Sequence, residues 1–541
     1  MKKRLLIFEV GWLVAGALLA PAQSITTICT LTNVFGGSSG PAYPAAALTL
    51  GPDGNFYSTS LEGGGGLFIY GTLFKVTTNG MLTLLTNFNV ANVESPYGGL
   101  TLGPDGNFYG TTRDGGGNNH GTVFRVTPDG VLTTLVNFNN TNGSGPMAGL
   151  ALGPDGNFYG TTWGGGANGY GTVFLAMANG ALTTLAGFSG SNGGNPGASL
   201  TLGPDGNFYG TTHLGLNNEY GTVFRVTTNG TLTTLLGFNL TNGAGPDASL
   251  ALGADGNFYG TTHAGGSSGY GTVFKMMTNG ILTTLVNFDN GTNGRSPYAG
   301  LTLGPDGNFY GTTSQAGSGG FGTVFKVTTN GALTTLTSFY GTNGANPWAA
   351  LTLGLDGNFY GTTYGGGTGN GGTIFRMELP PDFIMSPTDQ FVGIGGSATF
   401  KCQPFGTGPF DYQWLSNGVP VAGVTGNSLT LSNISWQITN AQFQVLITNH
   451  WGSILSSPAS AHVLLQPTIF DVTVSGDDQV MVQLGSYPNS TNRLWATTNL
   501  SLPLSQWQVV ATNIADGNGL SQFQDTNTIG IPTKFYRLSL P

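Results

Sequence analysis

Two histidines, His213 and His263, lie fifty residues apart, and each follows the pentapeptide Phe-Tyr-Gly-Thr-Thr. Arg113, Trp163 and Tyr364 follow the same pentapeptide elsewhere in the chain. An imidazole can act as a general base or a metal ligand, an arginine can bind an anion, and an aromatic ring can stack on a sugar. Two histidines without a nearby carboxylate make a weak zinc site, because zinc needs a third ligand. We predict a ligand-binding role for these five residues, with exposed loop positions of no function as the alternative.

Seven aspartates recur in a turn that continues as Asp-Gly-Asn-Phe-Tyr, and they invite comparison with calcium loops. They are Asp53, Asp105, Asp155, Asp205, Asp255, Asp306 and Asp356. Calcium takes six to eight oxygen ligands, and its loops place several acidic residues close together. Each turn here offers a single carboxylate. We therefore predict that each aspartate hydrogen-bonds the backbone of its own turn.

A second set of aromatic positions precedes a recurrent Gly-Thr. Its members are Tyr70, His120, Tyr170, Tyr220, Tyr270 and Phe321. Such rings can stack on sugars, but they more often cover the boundary between neighbouring structural units. We favour the second role.

Two motifs that would define a catalytic centre are absent from the sequence. It contains no His-Glu-x-x-His and no Gly-x-x-x-x-Gly-Lys phosphate-binding loop. We predict no catalytic residue, no metal ion and no cofactor.

The formal net charge is −9, and no cluster of lysines or arginines follows the first four residues. This pattern argues against nucleic acid as a partner.

The elements that position these residues form a repeat. The tetrapeptide Gly-Asn-Phe-Tyr recurs at spacings of 50 to 52 residues and begins at Gly54, Gly106, Gly156, Gly206, Gly256, Gly307 and Gly357. Each unit reads as four strands. In one copy we predict strands at 199–202, 207–212, 221–227 and 231–238, with a hairpin turn at Asn229-Gly230.

Four strands per unit, seven times, predict a seven-bladed β-propeller over residues 23–377. A β-solenoid is the alternative. Residues 25–35 read as a fourth strand without the preceding three, whereas the seventh unit stops after Met377 without its fourth strand. We predict that these two fragments pair and close the ring.

The loops sort onto two faces of the predicted ring. The Pro-Asp-Gly and Thr-Asn-Gly turns lie on one rim and are nearly the same in every copy. The loops that carry the five candidate residues lie on the opposite rim and vary between copies. A rigid scaffold with variable loops on one face is typical of a binding surface.

The repeat resembles a known family. Its three segments are Gly-Pro-Asp-Gly-Asn-Phe-Tyr-Gly-Thr-Thr, Gly-Thr-Val-Phe-Lys/Arg-Val-Thr and Asn-Gly-x-Leu-Thr-Thr-Leu. In this order they resemble the Gloeo/Verruco tandem repeat over about residues 25–377. The resemblance implies an exported bacterial protein without an assigned catalytic activity. Relatives often carry an anchoring tail, and we expect no C-terminal apolar anchor here. The turns are also similar to those of virginiamycin B lyase and NHL-type propellers.

The last third of the chain has a different composition, after a predicted linker at 378–381. Residues 382–465 resemble a bacterial immunoglobulin-like domain, with Trp414 at the position of its buried tryptophan. Val445 stands where the second cysteine would be, so we predict that Cys402 is a small buried hydrophobic residue. We predict a small β-sandwich-like domain over residues 466–541.

The start of the chain predicts export. Lys2, Lys3 and Arg4 precede an apolar stretch and the triplet Ala20-Pro21-Ala22, which together indicate a signal peptide over residues 1–22. A membrane anchor is the alternative. We predict no membrane span after signal removal and a secreted or cell-surface location.

The expected function is non-catalytic binding or a structural role in adhesion, envelope organisation or glycan capture, with carbohydrate or a cell-surface protein as partner. The alternative functions are a polysaccharide or lactone lyase and a spacer without a ligand.

Overall fold

The computed structural model describes twelve stretches of the chain. They are residues 24–32, 40–63, 70–89, 94–215, 220–393, 395–439, 441–464, 468–474, 479–486, 490–516, 520–526 and 533–539. The predicted signal peptide lies outside them. The described residues form an all-β structure whose only helices are two short 3₁₀ turns. They divide into two compact units: residues up to Pro380 with Gly406–Gly408, and Pro381–Phe405 with the residues from Pro409 onwards.

The first unit consists of seven four-stranded antiparallel sheets. The first strands are Thr49–Leu50, Thr101–Leu102, Ala151–Leu152, Thr201–Leu202, Ala251–Leu252, Thr302–Leu303 and Thr352–Leu353. The second strands are Phe56–Ser60, Phe108–Thr112, Phe158–Thr162, Phe208–Thr212, Phe258–Thr262, Phe309–Thr313 and Phe359–Thr363.

The third and fourth strands complete each sheet. The third strands are Thr72–Val76, Thr122–Val126, Thr172–Ala176, Thr222–Val226, Thr272–Met276, Thr323–Val327 and Asn370–Met377. The fourth strands are Leu82–Asn87, Leu132–Asn137, Leu182–Gly187, Leu232–Gly237, Leu282–Asn287, Leu333–Ser338 and, for the seventh sheet, Ile25–Thr32.

The seventh sheet therefore takes its fourth strand from the other end of the unit. Ile25–Thr32 pairs antiparallel with Asn370–Met377, with Ile25 opposite Met377. The hydroxyls of Ser24 and Thr26 donate to the Glu378 carboxylate at 3.1 and 3.0 Å. The prediction that the two terminal fragments pair is confirmed.

Alternation along the second strand builds the hydrophobic core between sheets. Phe208 packs into a cluster shared with the preceding sheet and Tyr209 into one shared with the following sheet, because successive side chains point to opposite faces. The tyrosine of one sheet meets the phenylalanine of the next with ring centroids 3.9 to 4.4 Å apart at all seven junctions. The pair Tyr360–Phe56 joins the last sheet to the first.

The repeated aspartates have the structural role that we predicted. In every repeat the backbone N–H of the following asparagine donates to the aspartate Oδ1 at 3.1 or 3.2 Å. The tyrosine hydroxyl donates to Oδ2 at 2.7 to 3.0 Å. Each carboxylate thus fastens its turn to the second strand of its own sheet.

The second unit contains sheets of two to six strands. Its strands are Asp382–Met385, Gln390–Gly393, Ala398–Lys401, Gln403–Phe405, Asp411–Ser416, Val419–Pro420, Ser428–Leu431, Gln442–Asn449, Gly452–Leu455, Ala459–Leu464, Thr468–Val474, Val480–Gly485, Thr491–Thr497, Gln508–Ile514, Leu520–Asp525 and Phe535–Ser539. The 3₁₀ turns are Trp436–Ile438 and Leu504–Gln506.

Trp414 and Cys402 are buried in this unit, as predicted. Trp414, Phe443 and Val445 belong to one hydrophobic cluster, and the Trp414 indole N–H donates to the Gly426 carbonyl at 2.9 Å. Cys402 lies in the same cluster as a free thiol, and burial raises its pKa to about 11. This confirms the hydrophobic role predicted for Cys402. Among the described residues, no helix is long and apolar enough to cross a bilayer.

Candidate functional site

A cavity of about 480 Å³ opens in the first unit and is lined by residues from all seven repeats. One residue per repeat comes from the position that directly follows a recurrent proline. We call this set the proline-following ring: Ala45, Tyr97, Met147, Gly197, Asp247, Tyr298 and Trp348. The position is equivalent in every copy, but it carries six different residue types in the seven repeats, so the repeats contribute different chemical groups to one space.

The backbone before each proline supports this ring. The residue preceding the proline has a positive φ of 53° to 63° in every repeat: Tyr43, Ser95, Gly145, Asn195, Gly245, Ser296 and Asn346. Five of the seven are not glycine, and a left-handed backbone is unfavourable for such residues. Strain of this kind is concentrated at functional sites.

A hydrogen bond then ties a second set of positions to the ring. We call these the strand-end positions, because each follows a second strand: Leu61, Arg113, Trp163, His213, His263, Ser314 and Tyr364. The backbone N–H of each donates to the carbonyl of the residue before the proline at 3.0 to 3.2 Å. All five residues predicted from the sequence are strand-end positions, and each therefore lies beside the ring.

The two histidines converge on one carboxylate. His213 Nδ1 lies 2.8 Å from Asp247 Oδ1, and His263 Nδ1 lies 3.0 Å from Asp247 Oδ2. His263 Nδ1 also lies 2.9 Å from the Gly245 carbonyl oxygen. The expectation that these histidines lack a nearby carboxylate is wrong. Asp247 belongs to the loop before the first strand, 34 residues from His213 in sequence, and folding brings it between the two rings.

These contacts shift the pKa values of the cluster. The hydrogen bond to Asp247 raises the pKa of His213 above its usual value, although burial works against this shift. Burial alone would raise the pKa of Asp247, but hydrogen bonds from both histidines hold it well below its usual range. Asp247 is therefore ionised and favours a protonated imidazole at its side.

Aromatic rings extend the cluster around the opening. Trp163 packs on His213 with ring centroids 5.4 Å apart, and His263 stacks on Tyr298 at 4.6 Å. In the neighbouring repeat, Trp348 stacks on Tyr364 at 4.1 Å.

The guanidinium of Arg113 lies 5.8 Å from the centre of the Tyr97 ring. Of the predicted residues, Trp163 and His213 line the cavity, whereas Arg113, His263 and Tyr364 contact side chains that line it.

Two glycines make room for these rings. A Cβ on Gly245, which has a φ of 63°, would lie 2.1 Å from His263 Cε1. A Cβ on Gly197 would lie 3.1 Å from the Trp163 indole. The absence of a side chain at Gly245 and Gly197 therefore leaves room for the rings of His263 and Trp163.

The floor of the opening is built from small residues. A second cavity of about 390 Å³ shares the proline-following ring and continues along residues such as Ala46, Gly98, Ala148, Ala198 and Ala248. Large side chains are thus concentrated at the mouth, and the deeper wall is mostly alanine, glycine and serine.

The other candidate aromatics serve mainly as packing residues. Tyr70, Tyr170, Tyr220 and Tyr270 pack against the clusters between sheets, which agrees with the boundary role that we favoured. Phe321 differs, because 44% of it is exposed. Within the described stretches, no group of three or more His, Cys, Asp or Glu side chains is arranged to hold a metal ion.

Comparison with known proteins gives one family. The sequence model of the Gloeobacter/Verrucomicrobia repeat matches residues 43–262 and 248–383. No protein with a curated description matches the chain.

Several solved structures share limited similarity with the chain. A Bacteroides uniformis protein described as a 6-phosphogluconolactonase has 17% identity and a TM-score of 0.39, over 56% of this chain and 86% of its own. The C. elegans twitchin kinase fragment has 22% identity and a TM-score of 0.14, over 16% of this chain and 20% of its own. The tandem immunoglobulin repeats of Dlar have 13% identity and a TM-score of 0.15, over 20% of this chain and 75% of their own.

Proposed function

The chain belongs to the Gloeobacter/Verrucomicrobia repeat family, and from that premise we propose that it is an exported, non-catalytic protein that captures carbohydrate. The proposal places the ligand in the cavity bounded by the proline-following ring. The observation that carries it is the convergence of seven residues of six different types, one from each repeat, on a single opening of about 480 Å³.

The proposed architecture is a seven-bladed β-propeller closed by its N-terminal strand. The same Tyr–Phe ring contact at all seven junctions, including Tyr360–Phe56, supports a closed ring. So does the hydrogen bond from the Thr352 hydroxyl to the Leu48 carbonyl, which repeats between the last and first sheets a bond seen between consecutive sheets.

The chemistry of the opening suits a sugar. Tyr97, Trp163, Tyr298 and Trp348 offer flat apolar faces, and aromatic rings at binding sites combine large contact area with specific stacking geometry. Gln315 and Asn346 add amide groups beside the same space. A few polar groups among aromatic side chains fix the orientation of a ligand that the rings hold by area.

The remaining parts fit an extracytoplasmic role. The basic and apolar pattern of residues 1–22 supports export through a signal peptide. We further propose that residues 382–465 form an immunoglobulin-like module, supported by the buried Trp414 between facing strands, and that residues 466–541 form a small β-sandwich. These modules would present the binding unit at the cell surface, in adhesion or envelope organisation.

A glycan array probed with the full mature chain tests the proposal. We expect retention of defined glycans without turnover. Trp348→Ala and Tyr97→Ala should each weaken binding about fivefold, since an aromatic contact contributes ~1 kcal/mol. Tyr340→Ala is the matched control, because Tyr340 is 57% exposed and does not line the cavity. Binding that survives both ring substitutions, or no binding to any glycan, contradicts the proposal.

A lyase is the second candidate, and Asp247 is the observation that favours it. An imidazole held by a carboxylate can act as a general base, as β-elimination of a sugar chain or opening of a lactone requires. Incubation of the same chain with the glycans that it retains separates the two functions. Release of unsaturated products, abolished by His213→Gln, would replace the binding function with catalysis.

A further inference from the structure

The His213–Asp247–His263 cluster has an arrangement that limits what it can bind. Both carboxylate oxygens of Asp247 are engaged, one by each imidazole. A ligand at this point therefore meets imidazole rings rather than a free carboxylate. Because Nδ1 of each ring is directed at Asp247, Nε2 is the nitrogen that a ligand can use.

The two rings form a matched pair. Their planes are 9° from parallel, and their centroids lie 6.4 Å apart. Trp163 covers one end of the pair and Tyr298 the other. Side-chain exposure is 39% for His213 and 21% for His263, so both remain in reach of a ligand.

We propose that this pair binds the carboxylate of an acidic sugar, so that the captured glycan is a polyuronate. The inference rests on the proposed carbohydrate-binding function. A carboxylate carries two acceptor oxygens, and two protonated imidazoles supply two charge-assisted donors. The aromatic rings on either side would hold the sugar rings that carry the acid.

Charge balance favours this class of ligand. With one imidazole protonated, the cluster is neutral; with both protonated, it carries one positive charge. A uronate neutralises the positive charge of the doubly protonated cluster. Binding of a uronate is therefore coupled to uptake of one proton by the histidine pair. The groups that face the cluster are Asp247 itself and the Tyr298 hydroxyl, whose pKa is raised by burial and by Asp247 and which is therefore uncharged at neutral pH. Trp163 adds no charge.

The sign of the pH dependence follows. Because the complex holds one more proton than the free protein, affinity rises as the pH falls. Uptake of one proton can raise the affinity by at most tenfold for each pH unit, and we expect a gain of about tenfold between pH 7.5 and pH 5.5. A neutral glycan of the same shape takes up no proton, so its affinity should not depend on pH in this range.

Calorimetric titration of the full mature chain provides the test. The probes are an α-1,4-linked galacturonic acid oligomer and its methyl ester, at pH 5.5, 6.5 and 7.5. We expect the acid to bind about tenfold more tightly at pH 5.5 than at pH 7.5 and the ester to show no such change. His213→Gln and His263→Gln should remove the pH dependence of the acid, and thermal unfolding of each variant shows whether it is folded.

The outcomes distinguish failure of the polyuronate inference from failure of the proposed carbohydrate-binding function. Equal binding of acid and ester at every pH overturns the polyuronate inference and leaves carbohydrate capture standing. So does binding of neutral glycans on the array without binding of the uronate. No binding to any glycan overturns both. Because the two probes are compared on the unaltered protein, failure of a variant to fold does not remove the test.

Discussion

The hydrogen bond to Asp247 raises the pKa of His213, and this makes a residue-scale prediction possible. His213 has a raised pKa, so it stabilises the folded chain below about pH 6.5 and loses this contribution as the pH rises through its folded pKa. Asp247 has a lowered pKa, so its contribution is present above about pH 4 and is lost as the pH falls further. The cluster should therefore stabilise the protein most between about pH 4 and pH 6.5.

Asp247→Asn tests this window. We expect the melting temperature of the variant to fall below that of the native chain by the largest amount near pH 5.5 and by less above pH 8. The pKa of His213, followed by NMR, should fall because its charged partner is gone. His120 contacts Ser144 rather than an acid and serves as the internal reference. An unchanged His213 titration would contradict the geometry.

Gly197 gives a second residue-scale prediction. A Cβ there would meet the Trp163 indole at 3.1 Å, so Gly197→Ala should displace the ring from the mouth and weaken glycan retention several-fold. Stability should change by less than about 1 kcal/mol, because the ring lies at an open surface. Gly187→Ala is the matched control, since no atom lies within 4 Å of a Cβ at that position. Equal retention by both variants would show that Trp163 does not contact the glycan.

The sequence alone identified strand-end positions of the site but not the proline-following ring. Trp163 and His213 were found because each follows Phe-Tyr-Gly-Thr-Thr, which is identical in six of the seven repeats, and a repeated strand makes a variable end easy to see. The proline-following ring was missed, Asp247 included. Its signal was present in the sequence as a proline followed by a variable residue, of six types in seven copies, but the flanking loop varies as well, so the position does not stand out.

At the scale of elements, the sequence placed the strands to within about two residues. The predicted strand 221–227 is Thr222–Val226, and 199–202 shortens to Thr201–Leu202. The first strands shorten because the small residues that precede them line the cavity and because each first strand pairs on one side only. Both features depend on the neighbouring repeats. The donated strand Ile25–Thr32 was predictable because the repeat left one unit incomplete.

The donated strand makes the prediction that belongs to this scale. Leu31 is 1% exposed and packs in the cluster between the seventh and first sheets. Leu31→Ala should lower the free energy of unfolding by about 2–5 kcal/mol, measured by chemical denaturation. Leu355→Ala removes the same atoms from a side chain that is 82% exposed and should change it by about 0.5 kcal/mol or less. Similar losses for both would show that the N-terminal strand is not part of the folded core.

At the scale of the whole molecule, the proposed closure would distinguish this unit from a linear stack. In a solenoid each repeat contacts only its neighbours, so stability is close to a sum over repeats. Here the last sheet contains the first strand of the chain and packs on the first sheet through Tyr360 and Phe56. Each sheet therefore has two neighbours, and the ends of the array depend on one another.

Excision of one repeat tests closure directly. Removing residues 191–240 deletes one fifty-residue period and joins equivalent loop positions, Gly190 to Thr241. A linear array would lose a proportionate share of its stability and remain folded. In a closed ring, six sheets must span an opening shaped for seven, so at least one Tyr–Phe junction is lost and its hydrophobic faces are exposed. We expect aggregation or a broad, weakly cooperative unfolding transition by calorimetry. In the control, the loop sequence created by joining Gly190 to Thr241 replaces the native loop in the otherwise intact chain. A sharp unfolding transition in the excised chain would favour the stack over the ring.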